Sequence, residues 1–409
     1  MRCRSCHSEL SHLVIDLGFA PPSNAYLTKE QLSKPEKYYP LRVLVCDVCW
    51  LVQTEDFLGR DEVFDSEYHY FSSTSASWVA HALQYTNMIT EELNLGPDSF
   101  VVEVASNDGY LLQYFKSVGI PCLGIEPTVS TAEAALSKGI DTVIEFFGAE
   151  LALSLIQKYG PVDLLVGNNV FAHVPDINDF VKGIGLLLKP DGVCTLEFPH
   201  LLSLMRFSQF DTIYHEHFSY LSLIAIVPLF ERHNLRVFKA EKLTTHGGSL
   251  RIYICKTDSE KTMDGSVNEF MKDEVDYGLN SIEAYSQLGL NAETMKMELL
   301  KFLISEKEAG RNVVGYGAAA KGNTFLNYAG INSDLISFVA DAAESKQNKY
   351  MPGSHIPILP PSVLFECQPE TILILPWNIA KEIIGLNSEL IESGTNFFVA
   401  VPKLQKIES

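Results

Sequence analysis

Short apolar runs, each followed by a small polar loop and a helically spaced stretch, occur twice along this chain. In the first unit, residues 100–104 predict a buried strand, residues 110–117 an amphipathic helix, and residues 122–125 a second strand. Residues 162–167 and the run after the PDG turn in LLLKPDGVCTLEFPH predict a fourth and a fifth strand. This alternation predicts an α/β domain with a doubly wound sheet, whose ligands bind at the carboxyl ends of its strands.

A similar order of elements returns late in the chain. Residues 313–314 are strand-like, Gly315 and Gly317 predict a tight turn, and residues 335–340 and ETILILPWN predict further strands. Because this second Rossmann-like unit carries Lys321 rather than an acid, it is a candidate phosphate or sugar-nucleotide site. A duplicated scaffold without a ligand is the alternative.

The composition limits the partners of the protein. The 409 residues are 46% apolar and 20% charged, and the net charge of −20 disfavours non-specific binding to nucleic acid. No run reaches the roughly 18 apolar residues of a membrane span, and the richest one, residues 221–230, contains Pro228. The first ten residues lack the apolar core of a signal peptide. We therefore expect a cytoplasmic, monomeric protein that binds neither nucleic acid nor membrane.

Four of the eight cysteines form two CxxC pairs, Cys3 with Cys6 and Cys46 with Cys49. Two such knuckles complete a closed tetrahedral zinc site, which has no open position for chemistry, so we expect a structural zinc. Two unrelated pairs or a redox-active CxxC are the alternatives. The other cysteines are single and predict reduced core thiols: Cys122, Cys194, Cys255 and Cys367.

The loop after the first predicted strand, in EVASNDG, is built of small and polar residues that let the backbone approach a nucleoside. Of the glycines of a dinucleotide site only Gly109 is present, and Asp108 would repel a pyrophosphate, so the loop suits a cationic ligand. It resembles motif I of S-adenosylmethionine-dependent methyltransferases, with Ala105 where glycine is commoner. Glu103 and Asp108 would supply negative charge near the sulfonium. An ordinary α/β loop is the alternative.

Further residues of this unit complete the expected cofactor site. Glu126 ends the second strand, where an acid accepts both ribose hydroxyls. IEFFGAE, residues 144–150, resembles the segment that packs beside the adenine. The predicted cofactor-binding residues are Glu103, Ala105, Asn107, Gly109, Tyr110, Glu126, Pro127, Phe146, Phe147 and Asn168.

The stretch YHEH, residues 214–217, places a phenol, two imidazoles and a carboxylate in a row between aromatic and apolar residues. His215 and His217 could share a metal ion, although a third ligand would be needed. Buried, hydrogen-bonded histidines and an acid/base site are equally compatible with the residues alone.

Four features occur in order: the CxxC…CxxC segment, EVASNDG, NNVFAHV followed by YHEHFSY, and GYGAAAKGNT. Together they resemble the sugar C-methyltransferases that act on nucleotide-linked deoxysugars, typified by the dTDP-sugar C-3 methyltransferases. The resemblance implies a zinc-binding lobe over residues 1–66, a methyltransferase domain over 67–262, a helical linker over 263–310, and a Rossmann-like domain over 311–409. That last domain would help to hold the nucleotide sugar.

The resemblance also implies a reaction at YHEH. In a 4-keto sugar, a base removes the proton next to the ketone, and the resulting enolate attacks the sulfonium methyl group. His217 matches the base and Tyr214 the residue beside the reacting centre, while Glu216 would orient an imidazole. Asn169 and His173 match residues near the sugar. Alternatively, Glu216 is a solvent-exposed charge without a role in the reaction, and Asn169 only caps the helix that follows it.

The resemblance, with the late Rossmann-like unit, also assigns a substrate-binding set. Tyr68 and Tyr70 match a segment that reaches over the substrate. The full set is Tyr68, Tyr70, Ser72, Ser73, His215, Gly248, Arg251, Lys321, Asn323 and Thr324. Two other functions stay open: methyl transfer to sugar oxygen or nitrogen, and a nucleotide-sugar epimerase or binding protein that transfers no methyl group.

Overall fold

Three β-sheets follow one another along the chain, and the computed structural model describes residues 1–57, 59 and 71–407. The first sheet starts with the antiparallel strands β1 (His12–Ala20), β2 (Tyr39–Val45) and β3 (Val52–Thr54). Alternate side chains of β2 are buried, as expected for a sheet with one covered face. Tyr68 and Tyr70 lie outside the described residues.

The second sheet has seven strands in the order β10-β11-β8-β7-β4-β5-β6. All four residues of β4 are buried, because helices cover both faces of the sheet, and this explains its continuous apolar run. The strands of this region, including the short β9, are β4 (Val101–Val104), β5 (Cys122–Ile125), β6 (Thr142–Val143), β7 (Val162–Asn168), β8 (Leu188–Pro199), β9 (Ser219–Tyr220), β10 (Leu235–Leu243) and β11 (Ser249–Lys256).

Strands β6, β5, β4, β7 and β8 are parallel, and β11 pairs antiparallel with both β8 and β10. The helices of this region are α1 (Ala76–Glu92), α2 (Leu112–Ser117), α3 (Val129–Ser137), α4 (Ala149–Tyr159), α5 (Ile177–Leu187), α6 (Leu201–Arg206) and α7 (Leu223–Arg232). The expectation of a doubly wound α/β unit is confirmed.

One local prediction in this unit is wrong. The PDG segment does not separate a helix from a strand, because β8 already begins at Leu188. Leu188 lies opposite Val162, and the next paired residues are Val193 and Leu164. The turn residues therefore form a bulge within the strand rather than a turn before it.

The strand β9 joins the first two sheets. Tyr220 pairs with Val52 and Ser219 with Gln53, so a segment from the middle of the chain becomes the fourth strand of the N-terminal sheet. YHEH ends two residues before β9. Its position is therefore fixed by the contact between the N-terminal lobe and the central unit.

Two helices lead from the central unit to the third sheet, α8 (Ser266–Tyr277) and α9 (Ile282–Glu308). The buried residues of α9 recur every three or four positions from Tyr285 to Leu303, which gives it one apolar face. That face lies in a core shared by the N-terminal lobe and the C-terminal sheet, with Val43 and Ile358 among its members. These two helices occupy most of residues 263–310, where the sequence predicts a helical linker.

The third sheet has the order β14-β13-β12-β15-β16-β17, parallel except for its last strand. Its strands are β12 (Val313–Tyr316), β13 (Val339–Ala340), β14 (Ile358–Leu359), β15 (Thr371–Ile374), β16 (Asn396–Val399) and β17 (Gln405–Lys406). Its helices are α10 (Ala320–Ala329), α11 (Ser362–Cys367), α12 (Ala380–Leu386) and α13 (Ser388–Glu392).

The prediction of this second Rossmann-like unit is confirmed with two changes. Gly315 lies within β12, and the turn is made at Gly317, whose φ is +84°. Only the last two of residues 335–340 form a strand.

Candidate active site

A cleft of about 860 Å³ opens at the carboxyl ends of the central parallel strands. Its walls come from the loops after β4, β5 and β7, from YHEH, and from the loop between β10 and β11. The C-terminal unit contributes Ala319–Lys321 and Asn378. All five predicted catalytic residues line this cleft: Asn169, His173, Tyr214, Glu216 and His217.

The loop after β4 has an unusual backbone. Ala105 and Asn107 have positive φ angles of 56° and 50°, a region that side chains other than glycine rarely adopt. Gly109, at φ +75°, packs beneath the loop, where an added Cβ would lie 2.5 Å from the Ile140 side chain. Asn107 Oδ1 accepts the backbone N–H of Ser72 at 2.8 Å. The loop is therefore held in a tight, preorganised curve at the cleft wall.

The Glu126 carboxylate ends β5 and faces the cleft. Its Oε2 accepts the Asn107 backbone N–H at 3.0 Å and its Oε1 that of Thr128 at 2.9 Å. Burial raises the pKa of Glu126, and these hydrogen bonds oppose that shift. The side chains of Thr128 and Thr131 also hydrogen-bond to this carboxylate, which is therefore a preorganised acceptor at the cleft wall.

The predicted source of negative charge near the sulfonium needs correction. Glu103 is fully buried in β4 and lies outside the cleft lining, and burial raises its pKa well above the usual value, which favours the neutral acid. Asp108 also points away from the cleft, where its Oδ2 accepts hydrogen bonds from Lys138 at 3.0 Å and from Ser73. A side chain in the middle of a strand is directed by the sheet, and here it is directed into the core.

The remaining predicted cofactor residues lie along the cleft: Ala105, Asn107, Tyr110, Glu126, Pro127, Phe146, Phe147 and Asn168. Asn168 is buried, and neither polar atom of its amide has a hydrogen-bond partner among the described residues. A buried amide without partners is costly unless a ligand bonds to it. A polar group of a bound ligand could therefore form the hydrogen bonds that the Asn168 amide lacks.

The His217 imidazole has a defined tautomer. Its Nδ1 lies 2.9 Å from the Thr212 carbonyl oxygen, which can only accept, so Nδ1 carries the proton and Nε2 carries the lone pair. Burial, reinforced by the nearby His173 ring, lowers the pKa of His217 well below its usual value of 6.5. The ring is therefore neutral near pH 7 and can accept a proton at Nε2.

Two other rings pack against His217. The Tyr214 and His217 ring centroids are 4.0 Å apart, and those of His173 and His217 are 4.7 Å apart. His173 Nδ1 donates to the Glu216 carbonyl oxygen at 2.8 Å, and burial lowers the pKa of His173 to about 4. The cleft thus presents two neutral imidazoles and a phenol side by side.

Glu216 and His215 have other roles than those the sequence predicts. The Glu216 carboxylate accepts hydrogen bonds from Ser23 and Asn24 of the N-terminal lobe, and it is the main-chain carbonyl of Glu216 that orients His173. His215 lies outside the cleft lining, with its Nε2 3.1 Å from the Pro40 carbonyl oxygen. Tyr214 and His217 therefore face the cleft, whereas the His215 ring and the Glu216 carboxylate contact the N-terminal lobe.

Of the eight predicted substrate residues within the described part of the chain, Ser72 and Lys321 line the cleft. The Lys321 ammonium lies 2.6 Å from Asn378 Oδ1 and 4.7 Å from the centre of the Trp377 ring, and burial lowers its pKa. It is a cation at the C-terminal wall of the cleft.

The other predicted substrate residues make contacts within the protein. Asn323 donates to the Ser23 carbonyl at 2.6 Å, and Thr324 donates to that of Ile213 at 2.7 Å, so both join the C-terminal unit to the other parts. Ser73 donates to Asp108, as described above. Gly248 packs against Ser203, whose Oγ would lie 2.6 Å from an added Cβ. Arg251 is buried against Glu197 at 2.8 Å.

Sequence reasoning missed three cleft residues, Trp78, His81 and His246. Trp78 stacks on His81 with 5.0 Å between ring centroids and meets His246 edge-on at 5.1 Å. Gly248 and Arg251 of the segment HGGSLR belong to the predicted substrate-binding set, but His246 at its start does not. The available signal was a histidine followed by two glycines, a pattern that suits a backbone in the left-handed region.

The four CxxC cysteines converge at the edge of the N-terminal lobe. Their Sγ atoms all lie within 4.8 Å of one another, and Cys3–Cys49 and Cys6–Cys46 are each 3.5 Å apart. Sulfurs about 2.3 Å from a tetrahedral zinc have similar separations. Gln53 Nε2 donates to Cys3 Sγ at 3.3 Å, the type of outer contact that orients a thiolate ligand. The donor set fits zinc.

In the described part of the chain, no helix has both the length and the apolar character needed to cross a membrane.

Three family models match consecutive parts of the chain. Residues 3–64 match a "putative zinc binding domain", residues 71–240 a methyltransferase domain, and residues 244–402 a C-methyltransferase C-terminal domain. Among curated proteins, C-methyltransferase NovU of Streptomyces niveus is 32% identical over 407 residues, which cover 100% of this chain and 97% of that protein.

Solved structures match part of the chain. Magnesium protoporphyrin IX methyltransferase (ChlM) from Synechocystis PCC 6803, solved with bound SAM, has a TM-score of 0.33 and 13% identity, covering 44% of this chain and 81% of that one. A SAM-dependent methyltransferase from Anabaena variabilis has a TM-score of 0.34 and 15% identity, and the match covers 42% of this chain and 83% of that one.

Proposed function

Since this chain belongs to the C-methyltransferase family and is a SAM-dependent methyltransferase, we propose that it methylates a nucleotide-linked 4-keto-deoxysugar. The methyl group would go to the carbon next to the ketone, C-3, through an enolate. The observation that carries the proposal is the unprotonated Nε2 of His217 inside the cleft, fixed by the bond from Nδ1 to the Thr212 carbonyl. A carbon next to a ketone becomes a nucleophile only after such a base removes its proton.

Residues around the loop after β4 would hold S-adenosylmethionine. When bound, this cofactor supplies an electrophilic methyl group. Glu126, which lies in the cleft wall at the end of β5, would accept the ribose hydroxyls, and Phe146 and Phe147 would flank the adenine. Asn168 would bond to a polar group of the cofactor, because its buried amide has no partner among the described residues. The site fits the cofactor on these grounds.

His217 and the two rings packed against it, Tyr214 and His173, would act on the sugar. His217 Nε2 takes the proton, and the electrons of that C–H bond form the enolate. The enolate carbon gains the methyl group as the bond from methyl to sulfur breaks, and the ketone re-forms. Tyr214, 4.0 Å away between ring centroids, would share or relay the proton. His173 packs against the His217 ring, and its own Nδ1–H is fixed by the Glu216 carbonyl.

The C-terminal unit would bind the nucleotide end of the substrate. Lys321 provides a cation at its wall of the cleft, and phosphate oxygens are suitable partners for an ammonium group. In this proposal the chain divides into a zinc-binding lobe (residues 1–66), a methyltransferase domain (67–262), a helical linker (263–310) and a nucleotide-sugar domain (311–409). Ser72 would contact the substrate from the segment that enters α1.

The four N-terminal thiolates would hold one structural zinc ion. Four protein ligands leave no open coordination position, so the ion would fold the lobe and take no part in the reaction. Support comes from the four converging sulfur atoms and from the matching family description.

The test is a product analysis with 4-keto-6-deoxy nucleotide sugars and S-adenosylmethionine. We expect a product heavier by one methylene unit, with NMR placing the new methyl group on the carbon next to the ketone. A methyl group on oxygen or nitrogen would contradict the proposal. So would a protein that binds S-adenosylmethionine, seen as a thermal shift, but methylates none of the 4-keto sugars.

A further inference from the structure

The proposed reaction needs a group that stabilises the enolate oxygen, and none of the residues assigned above does this. We propose that His246 does so, as a neutral imidazole that donates a hydrogen bond to the ketone oxygen while negative charge develops there. Glu197 and Thr245 would position this ring. The inference rests on the proposed function and adds a catalytic residue to it.

His246 occupies the right part of the cleft. It lies in the loop between β10 and β11 and lines the same space as His173, His217 and Asn169. Asn169 contacts the His246 ring and lines the cleft beside it. A sugar whose C–H bond meets His217 would therefore have His246 in the wall of the same cleft.

The ring has a proton to donate. Asn169 Nδ2 lies 3.2 Å from Nε2 of His246 and 3.4 Å from Nδ1. An amide N–H can be accepted only by the unprotonated ring nitrogen, so the other nitrogen carries a hydrogen. Burial, followed by the charge of Lys321, lowers the pKa of His246 to about 4. The ring is thus neutral near pH 7, and neutral imidazoles polarise substrate carbonyls in known isomerases.

The backbone at this position is held under strain. His246 has φ 53° and ψ 22°, a left-handed conformation that is uncommon for a histidine, and Gly247 follows at φ +86°. An added Cβ at Gly247 would lie 2.3 Å from Trp377 of the C-terminal unit, and Gln209 donates to the Gly247 carbonyl at 2.8 Å. Such conformations persist where the surroundings enforce them, and they cluster at active sites.

Glu197 supplies the strongest of these restraints. Its Oε1 accepts from the Thr245 hydroxyl at 2.8 Å, directly beside His246, and its main-chain carbonyl accepts the Asn169 N–H at 2.7 Å. Burial opposes ionisation of Glu197, but hydrogen bonding to His81 and the charge of Arg251 outweigh this and lower its pKa. Glu197 thus holds the loop that bears His246 through its carboxylate, and it holds Asn169, which contacts the His246 ring, through its main-chain carbonyl.

The first experiment measures steady-state kinetics of His246→Phe, which keeps a ring but has no donor, with a 4-keto nucleotide sugar that the wild-type enzyme methylates. Removing one preorganised donor to an oxyanion costs about 10²–10³-fold in kcat, and we expect a loss of that size with KM for both substrates nearly unchanged. The affinity for S-adenosylmethionine and the melting temperature should match those of wild type. The matched control is His12→Phe, at a half-exposed histidine of the N-terminal lobe, which should keep full activity.

The second experiment separates positioning from folding. Thr245→Val keeps the shape of the side chain but loses the bond to Glu197, and displacing a reacting group costs up to about 10²-fold. We expect kcat to fall at unchanged melting temperature and S-adenosylmethionine affinity, and Thr245→Ser to restore it. The Thr245→Val result tests the proposal even if His246→Phe fails to fold.

The outcomes distinguish the two proposals. Unchanged kcat in His246→Phe, with wild-type enzyme forming a C-methylated sugar, overturns the role of His246 and leaves the proposed function standing. A loss of kcat that is matched by an equal loss of S-adenosylmethionine affinity also overturns it, because the residue is then structural. If wild-type enzyme forms no C-methylated sugar at all, both proposals fail.

Discussion

Buried side chains with a fixed protonation state dominate the cleft at the scale of single residues. His217 and His173 each donate from Nδ1 to a backbone carbonyl, so both present the unprotonated Nε2. Glu126 instead receives two backbone N–H groups, which favour its ionised form against the effect of burial. Burial is the largest influence on the pKa of each of these groups, and hydrogen bonds to the backbone oppose it.

The Glu126 assignment predicts a loss of cofactor affinity. Glu126→Ala removes the charge-assisted contact to the ribose hydroxyls and should weaken S-adenosylmethionine binding by about 2–3 kcal/mol. Isothermal titration calorimetry measures this directly. Glu133→Ala, at an exposed carboxylate of α3, is the control and should bind normally. Unchanged affinity in Glu126→Ala would refute the assignment.

The lowered pKa of His217 predicts the pH dependence of the reaction. A base must be unprotonated, so activity is present above its pKa and is lost as the pH falls through it. Since burial moves that pKa below 6.5, the acidic limb of kcat/KM should lie below pH 6.5. S-adenosylmethionine binding measured over the same pH range controls for loss of fold. A limb at or above pH 6.5 would contradict this account of the site.

Residue types were predictable from the sequence more readily than side-chain directions. YHEH predicts a functional site, but the directions in which His217 faces the cleft and His215 faces Pro40 depend on the turn at this segment and on the pairing of β9 with β3. Glu103 has the expected acidic character, yet the sheet directs it into the core. His246 could not be connected to His217 because only the folded loop brings the two together.

At the scale of elements, the N-terminal lobe is coupled to the cleft through β9. Thr54, at the end of β3, donates to the His217 carbonyl at 2.9 Å, and Gln53 contacts Cys3 as well as pairing with Ser219. Strand β3 therefore contacts the cysteine cluster through Gln53 and the proposed base through Thr54. The paired knuckles and the doubly wound unit were predictable from local spacing, whereas this long-range strand pairing was not.

The cysteine cluster predicts a metal content and a folding defect. Purified protein should contain about one zinc per chain, bound by four thiolates. Cys46→Ser should lower the melting temperature and the yield of folded protein, while S-adenosylmethionine affinity of the surviving protein changes little. Cys367→Ser, at an exposed cysteine outside the cluster, should have neither effect. Folded, active wild-type protein without metal would contradict the prediction.

At the scale of the whole molecule, the cleft belongs to all three parts of the chain. The N-terminal lobe touches the C-terminal unit through Tyr26, whose hydroxyl donates to the Ala318 carbonyl at 2.5 Å, and through Glu36, 2.9 Å from His355. Asn24, Lys321 and His217 accordingly line one space although they are far apart in sequence. In the proposed function, a nucleotide sugar bound in this cleft would contact all three parts of the chain.

The most direct test of the account follows solvent deuterium into the sugar. Enzyme, a 4-keto nucleotide sugar and S-adenosylhomocysteine are incubated in D₂O, so that a proton can be removed but no methyl group transferred. Wild type should exchange the hydrogen next to the ketone. His217→Asn should slow this exchange by about 10²–10⁴-fold while still binding the nucleotide sugar. Exchange that persists in His217→Asn but is abolished in Tyr214→Phe would contradict the account and make the tyrosine the base.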